Sequence, residues 1–327
     1  MAVKWLVIGG AGYIGSHVLR EFISQGHECV VLDNLSTGIR NRLPENVVFI
    51  DGDARDSQLV IGVCKEFGIN SILHFAAFMQ ARESVSNPIK YWENNINTTL
   101  GIAQALSVLK IDQLIFSSSC SVYGNNPRAS INSVFNPLSP YAMTKVASEQ
   151  ILTQACLVAD VKLSIMRYFN VVGCGDFEDS LESSTETLVP SIMNSILVGQ
   201  PFQIYGDRFD TVDGTAMRDY LDVRDLASAH LVASRIDCDV NPVIYNVSSG
   251  VGTTVKQIVE TLSNLTSSNL LIQYCPPKTG DPAVISAEAD HMLSKHGWEA
   301  RISLKTSLLD YVMKFNKQNT RALEDET

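Results

Sequence analysis

No apolar run in this 327-residue chain approaches the ~18 residues needed to cross a bilayer, so no membrane span is expected. Residues 1–14 are apolar, but they carry one Lys and run straight into glycines without a small-residue cleavage pattern. They read as a buried first strand rather than an export signal. No CxxC pair occurs among the seven cysteines, Cys29, Cys64, Cys120, Cys156, Cys174, Cys238 and Cys275. Such an odd, scattered set argues for reduced thiols in a cytoplasmic location, and against a disulfide framework or a zinc site. The six histidines lack HExxH or any comparable ligand spacing, so no metal is expected. Positive charge is also scarce: 25 Lys and Arg against 35 Asp and Glu leave a formal net charge of −10. That disfavours nucleic acid as a partner, because its phosphates need clustered cations. A small phosphorylated ligand needs only one or two well-placed arginines and stays open.

What is present is an alternation. Apolar β-type runs at 3–8, 29–32, 47–50, 71–75, 113–117 and 162–168 are separated by helical patterns at 16–25, 57–67, 91–110 and 140–158. Strands apolar throughout, with helices between them, predict a parallel sheet covered on both faces, a doubly wound α/β fold. The pattern loosens after Asn170. Residues 168–207 contain no Lys or Arg, and residues 176–186 are strongly acidic, which reads as a solvated loop. Shorter elements beyond it suggest a smaller C-terminal α/β domain. The expected division is 1–170 for the cofactor and 171–327 for the substrate, with part of the second stretch, near 215–250, returning to the first domain.

Gly10-x-Gly12-x-x-Gly15 directly follows the first strand and opens a helix. Glycines there permit a tight turn and let the backbone approach a pyrophosphate, which then meets helix amides and the positive end of the dipole. Asp33 ends the second strand, placed to accept hydrogen bonds from ribose hydroxyls and to repel a 2′-phosphate. The residue after it is Asn34 rather than Arg, so NAD is expected over NADP. Together these features specify a Rossmann-type sheet.

Tyr141 and Lys145 form a YxxxK pair in a helix whose start is marked by Ser139 as cap and Pro140 at its first position. The i, i+4 spacing puts both side chains on one face, and a nearby ammonium is expected to favour the phenolate for acid–base work. Tyr274 also has Lys four residues later, but Cys275-Pro276-Pro277 cannot be a helix interior. A third group, a hydroxyl at the carboxyl end of a strand, is offered by Phe116-Ser117-Ser118-Ser119-Cys120-Ser121, with Ser119 the candidate.

These residues resemble the extended short-chain dehydrogenase/reductase family, and within it the nucleotide-sugar 4-epimerases. The resemblance covers nearly the whole chain, through GGAGYIGSH (9–17), DNLSTG (33–38), HFAA (74–77), FSSSCSVYG (116–124), SPYAMTK (139–145), RYFN (167–170), DGTAMRDYLDVRDLA (213–227), YNVSSG (245–250) and TGDPA (279–283). It implies a Tyr141 base, Ser119 as its hydrogen-bonding companion, and Lys145. It implies that Gly9, Gly12, Tyr13, Ile14, Gly15, Asp33, Asn34, Asp53, Ala54, Phe75, Ala76, Asn94, Tyr141, Lys145 and Tyr168 hold NAD. It implies a UDP-sugar held by Ser119, Asn170, Leu188, Tyr205, Arg218, Lys278 and Asp281, with Arg218 on the diphosphate. The activity implied is interconversion of UDP-glucose and UDP-galactose by reversible hydride transfer through a 4-keto sugar, in a homodimer.

Three positions depart from the family pattern. Met79 stands where a lysine often follows HFA(A/G), Lys278 where an arginine usually meets the diphosphate, and Thr187 where one branch carries Asn. A Lys point charge does not reproduce the bidentate arginine fork. The fourth residue after Asp281, Ile285, lies near the sugar 2-position in the resemblance, where a bulky Tyr excludes an N-acetyl group. Sibling activities on UDP-pentoses, UDP-N-acetylhexosamines or UDP-glucuronate stay open, as does a non-catalytic NAD-binding scaffold. Dehydration is disfavoured, because Cys120-Ser121 replaces the acid pair it needs.

Overall fold

The computed structural model describes residues 3–182, 184–237, 241–277, 282–287 and 296–325. Strands β1 (Lys4–Ile8), β2 (Glu28–Asp33), β3 (Val48–Asp51), β4 (Ser71–His74), β5 (Gln113–Ser119) and β6 (Lys162–Tyr168) are linked by helices. These include α1 (Tyr13–Ser24), α2 (Ser57–Phe67), α3 (Ala81–Ser86), α4 (Pro88–Tyr91), α5 (Asn97–Leu106) and α6 (Pro140–Ala159). All pairings are parallel, and the sheet order is β3-β2-β1-β4-β5-β6. This is the doubly wound α/β fold. Alternation along each strand feeds two cores: Trp5 and Val7 of β1 enter one, while Leu6 and Ile8 enter the other on the opposite face.

The order reverses between β1 and β4, and ligands in such sheets bind outside the carboxyl ends of the strands at that crevice. Gly9, Phe75, Ser119 and Phe169 are the residues at or just past the ends of β1, β4, β5 and β6.

One helical expectation needs correction. The pattern over 91–110 is not a single α-helix: α4 runs into a π-helical segment, Trp92–Ile96, before α5 begins and ends at Leu106. The wider turn admits an extra residue and rotates Asn95 into the interior, where it is 3% exposed.

Past β6 come β7 (Asn170–Val172), α7 (Leu188–Val198), β8 (Phe202–Tyr205), β9 (Met217–Asp222), α8 (Val223–Ala233), β10 (Val243–Val247), β11 (Gly252–Thr254), α9 (Val255–Thr266), β12 (Ile272–Cys275) and β13 (Val284–Ile285). β10 joins the main sheet beside β6 as its seventh strand. β9 pairs with β7, β11 and β13, and β8 pairs with β12. Ile192 and Met193 of α7, Ile258 and Leu262 of α9, and Leu308 of the helix Leu304–Asp325 form a third core over Ile204 and Tyr220. No helix among the described residues is long and apolar enough to cross a membrane.

Candidate active site

A cavity of about 870 Å³ opens along the carboxyl ends of β1, β2, β4, β5 and β6. Its floor begins at the glycine turn. Gly9 has φ +80°, and a Cβ there would sit 2.5 Å from Ala76 N. Gly15 lies one helical turn inside α1, where a Cβ would meet Gly9 O at 2.3 Å. Only glycine lets the helix approach the strand this closely. The N-cap of α1 is Gly12, with no side-chain cap and no acidic residue in the first turn. Gly12, Tyr13, Ile14 and Gly15 all line the cavity, so the uncapped end of a 12-residue helix faces it.

Asp33 closes this end. Its Oδ2 accepts from Ala11 N and its Oδ1 from Leu35 N, both at 2.9 Å. The carboxylate thus shapes the glycine loop as well as facing the cavity. Arg55, next to the lining residue Ala54, is engaged by Asp53 through Nε (2.9 Å) and Nη2 (2.6 Å). That pairing holds the Asp53 carboxyl below its ordinary range. Asn34 donates to the same carboxylate at 3.2 Å. The cavity's chemistry at this end, amides for phosphate and carboxylates for hydroxyls, fits NAD.

The candidate acid–base group, Ser119, Tyr141 and Lys145, sits at the end of β5. Ser139 caps α6 by accepting from Ala142 N at 3.2 Å, with Pro140 at the first position. This fixes the helix so that Tyr141 faces Ser119 and Lys145 Nζ donates to Ser117 O at 2.6 Å. Burial holds Lys145 down to about 8 and pushes Tyr141 up to about 12, the neighbouring Ser119 hydroxyl opposing the rise. The expectation that the nearby Lys145 ammonium favours the phenolate is therefore corrected. Its ammonium is turned to the Ser117 carbonyl, 6.0 Å from the Tyr141 ring centroid, and desolvation dominates.

A hydrogen-bond chain backs this group. His230 Nδ1 lies 2.9 Å from Leu226 O, which can only accept, so Nδ1 carries the proton and Nε2 accepts from the Tyr168 hydroxyl at 2.6 Å. His230 stays neutral, its pKa lowered to about 4 by burial.

All the expected cofactor residues line this one cavity: Gly9, Gly12, Tyr13, Ile14, Gly15, Asp33, Asn34, Asp53, Ala54, Phe75, Ala76, Asn94, Tyr141, Lys145 and Tyr168. Ser119, Asn170 and Leu188 of the expected substrate set line it too. Two members of that set do not. Tyr205 donates to Gln203 at 2.6 Å with Arg82 over its ring, and Arg218 donates to Met217 O at 2.7 Å. Arg218 nevertheless lies within electrostatic reach of Cys120 and Tyr220, which are lining residues. Lys278 and Asp281 lie outside the described residues.

Several contributors escaped the sequence. Asn95 accepts from Phe78 N (2.8 Å) and donates to Phe78 O (3.1 Å) and Thr144 Oγ1 (3.0 Å). Thr144 donates to Tyr141 O at 2.7 Å, so Asn95 ties the loop after β4 to the helix of the acid–base group. The acidic stretch is not simply a solvated loop. Buried Arg42 donates to Asp179 O at 2.7 Å and Leu181 O at 2.8 Å, and Gln80 donates to Ser184 Oγ at 2.6 Å. Glu182, Ser184, Glu186 and Thr187 consequently line the cavity. Met79 lines it as well, 48% exposed.

Fold and cavity together define an NAD-binding enzyme whose cavity lies at the carboxyl ends of the sheet strands. The profile of the NAD dependent epimerase/dehydratase family matches residues 5–248; the chain belongs to that family and is an NAD-dependent isomerase of the nucleotide-sugar epimerase type. The chain is similar to the UDP-glucose 4-epimerase of Lactobacillus helveticus, 34% identical over 330 residues, covering 99% of this chain and 100% of the relative. Among solved structures it is similar to the UDP-glucose-4-epimerase of Stenotrophomonas maltophila with bound NAD and formylated UDP-arabinopyranose. That likeness has a TM-score of 0.90 at 30% identity and covers 98% of this chain and 100% of the other. It is also similar to the UDP-Glc/GlcNAc 4-epimerase of Campylobacter jejuni, TM-score 0.82 at 31% identity, covering 97% of this chain and 100% of that one.

Proposed function

We propose that the protein interconverts UDP-glucose and UDP-galactose, with residues 1–170 chiefly holding NAD and 171–327 the UDP-sugar. The observation that carries this reading is the convergence of Ser119, Tyr141 and Lys145 with the glycine turn and Asp33 in one cavity. Gly9, Gly12, Tyr13, Ile14, Gly15, Asp33, Asn34, Asp53, Ala54, Phe75, Ala76, Asn94 and Tyr168 hold the cofactor. When bound at these residues, NAD would supply a hydride acceptor for oxidation of the sugar at C4, a hydride donor for the reverse, and a positive charge.

Tyr141 takes the proton of the sugar 4-hydroxyl, and Ser119 holds both hydroxyls in line. Lys145 steadies the charge that Tyr141 acquires, and its bond to Ser117 O fixes its reach. Asn170, Leu188, Tyr205, Arg218, Lys278 and Asp281 anchor UDP while the sugar turns about its phosphate linkage. Holding the reactants in register supplies much of the acceleration. Because oxidation and reduction cancel within one cycle, the cofactor stays bound. Comparing kcat/KM for UDP-galactose, UDP-N-acetylglucosamine and UDP-arabinose tests the substrate; a preference for either of the latter two overturns the assignment.

A specific residue favours a second, weaker activity. Ile285 on β13 pairs in register with Arg218 and packs against the cluster of Cys120 and Phe169, two lining residues. Ile is shorter than Tyr and carries no hydroxyl, and in the family resemblance this position borders the sugar 2-position, so room for an N-acetyl group is expected there. Weak epimerisation of UDP-N-acetylglucosamine is expected beside strong activity on UDP-glucose. Ile285→Tyr should abolish the first and spare the second. Acetylated activity that survives this substitution, or is absent from the unmodified enzyme, removes Ile285 as the gate.

The proposal extends to a cytoplasmic homodimer. The scattered cysteines support the location. The exposed Leu100, Met143 and Leu157, on the mutually packed α5 and α6, support a partner on that side.

A further inference from the structure

Three consecutive residues at the end of β5 are each met by one of three residues spaced a turn apart on α6. Ser119 faces Tyr141, the Ser117 carbonyl accepts from Lys145 at 2.6 Å, and Ser118 Oγ donates to Glu149 Oε1 at 2.5 Å. Positions 141, 145 and 149 follow one another at i, i+4 and i+8, so they share a stripe of the helix. The first two are the acid–base group; the third has no role in the chemistry as described.

Glu149 is 3% exposed and Arg167, on β6, 2%. The arginine meets it with both prongs, Nε to Oε1 at 3.0 Å and Nη2 to Oε2 at 2.6 Å. Its remaining nitrogen donates to Tyr123 OH at 2.8 Å and Ile131 O at 3.2 Å, and the rings of Tyr123 and Phe135 flank it. Four of the five guanidinium N–H groups are thereby engaged, and both carboxylate oxygens accept. Buried pairs of this kind are often no more stabilising than apolar residues of the same volume, so stability alone is a weak reason for one beneath an active-site strand.

We infer that Glu149, seated by Arg167, is a positioning residue for the reaction: it sets the register of α6 on β5 so that Tyr141 meets Ser119, and it supplies the anion one turn from Lys145. This rests on the functional reading above only for its turnover readout. The titratable groups facing Lys145 are Tyr141 on its own helix, His74 from β4 and Tyr168 from β6. His74 is held neutral, its pKa lowered to about 3 by burial with Lys145 adding to the effect, and Tyr168 is pushed upward by burial. Burial pulls Lys145 down while Glu149 opposes the pull. Removing that anion lets the ammonium lose its proton at lower pH.

Glu149→Gln keeps the shape and an acceptor for Ser118 but not the charge. The alkaline limb of kcat is expected to move down by about one pH unit, and kcat near neutrality to fall about tenfold, while KM for the UDP-sugar stays within about threefold. NAD affinity, read by tryptophan fluorescence, should show the same downward shift of its alkaline limb. That readout needs no turnover, so a protein inactive on UDP-galactose but showing this shift refutes the substrate and leaves the positioning role standing. If Glu149→Gln does not fold, Glu149→Leu combined with Arg167→Met removes both charges together. This double variant should keep the thermal midpoint yet retain the lowered kcat and displaced limb. A folded variant with unmodified kcat and an unmoved alkaline limb in both readouts overturns the inference.

Discussion

Tyr141→Phe is expected to keep NAD and UDP-sugar binding while turnover falls by roughly 10²–10⁴-fold, the usual contribution of a general acid–base group. The substitution removes one oxygen from a ring whose position is fixed independently, by the Ser139 cap and by the Asn95–Thr144 tie to the same helix. Binding and chemistry should therefore separate cleanly. Burial places the Tyr141 hydroxyl at about 12, so the protein's own groups leave it protonated at neutral pH. Its proton is expected to become labile only in the loaded site, where a cationic ring adds the attraction that Lys145 does not provide alone. Retention of cofactor through gel filtration, followed by a turnover assay, checks both halves. Near-normal turnover in this variant removes Tyr141 from the mechanism.

Asp33→Ala should weaken NAD by roughly 10- to 100-fold, since hydrogen bonds to a charged group contribute about 1.5–3 kcal/mol each. The preference for NAD over NADP should narrow at the same time, because the carboxylate that binds hydroxyls also repels a phosphate. Part of the loss comes through the protein, as the Ala11 and Leu35 amides lose their acceptor. Asp33→Asn separates them in part: it keeps an acceptor for one of the two loop amides and loses the charge. Titration of each variant with both cofactors measures the effect, and equal affinity for NAD and NADP in the unmodified protein contradicts it.

Features set by local chemistry were legible in the sequence. The bounds of Ser57–Phe67 and Lys162–Tyr168 agree with the pattern, because periodicity, caps and flanking turns all act within a few residues. The glycine turn and the capped helix of Tyr141 were readable for the same reason. What stayed hidden depends on distant partners. Arg42 reaches carbonyls 137 and 139 residues away, and nothing near it in the chain announces that contact. Asn95 looks like any polar residue of a helix until a π-turn rotates it inward. The Tyr141 pKa was misread because spacing reveals a neighbour, Lys145, but neither its orientation nor the depth of burial. An acidic run suggests solvent, yet its backbone carbonyls, the groups Arg42 takes, carry no trace in the side-chain sequence.

The most direct measurement is to incubate the purified protein with UDP-galactose, without added NAD, and to follow UDP-glucose together with absorbance at the reduced-cofactor band. The account predicts that UDP-glucose accumulates to equilibrium, that no NADH is released, and that one NAD per chain is recovered on denaturation. A requirement for stoichiometric added NAD, or retention of cofactor without any UDP-glucose formed, contradicts it.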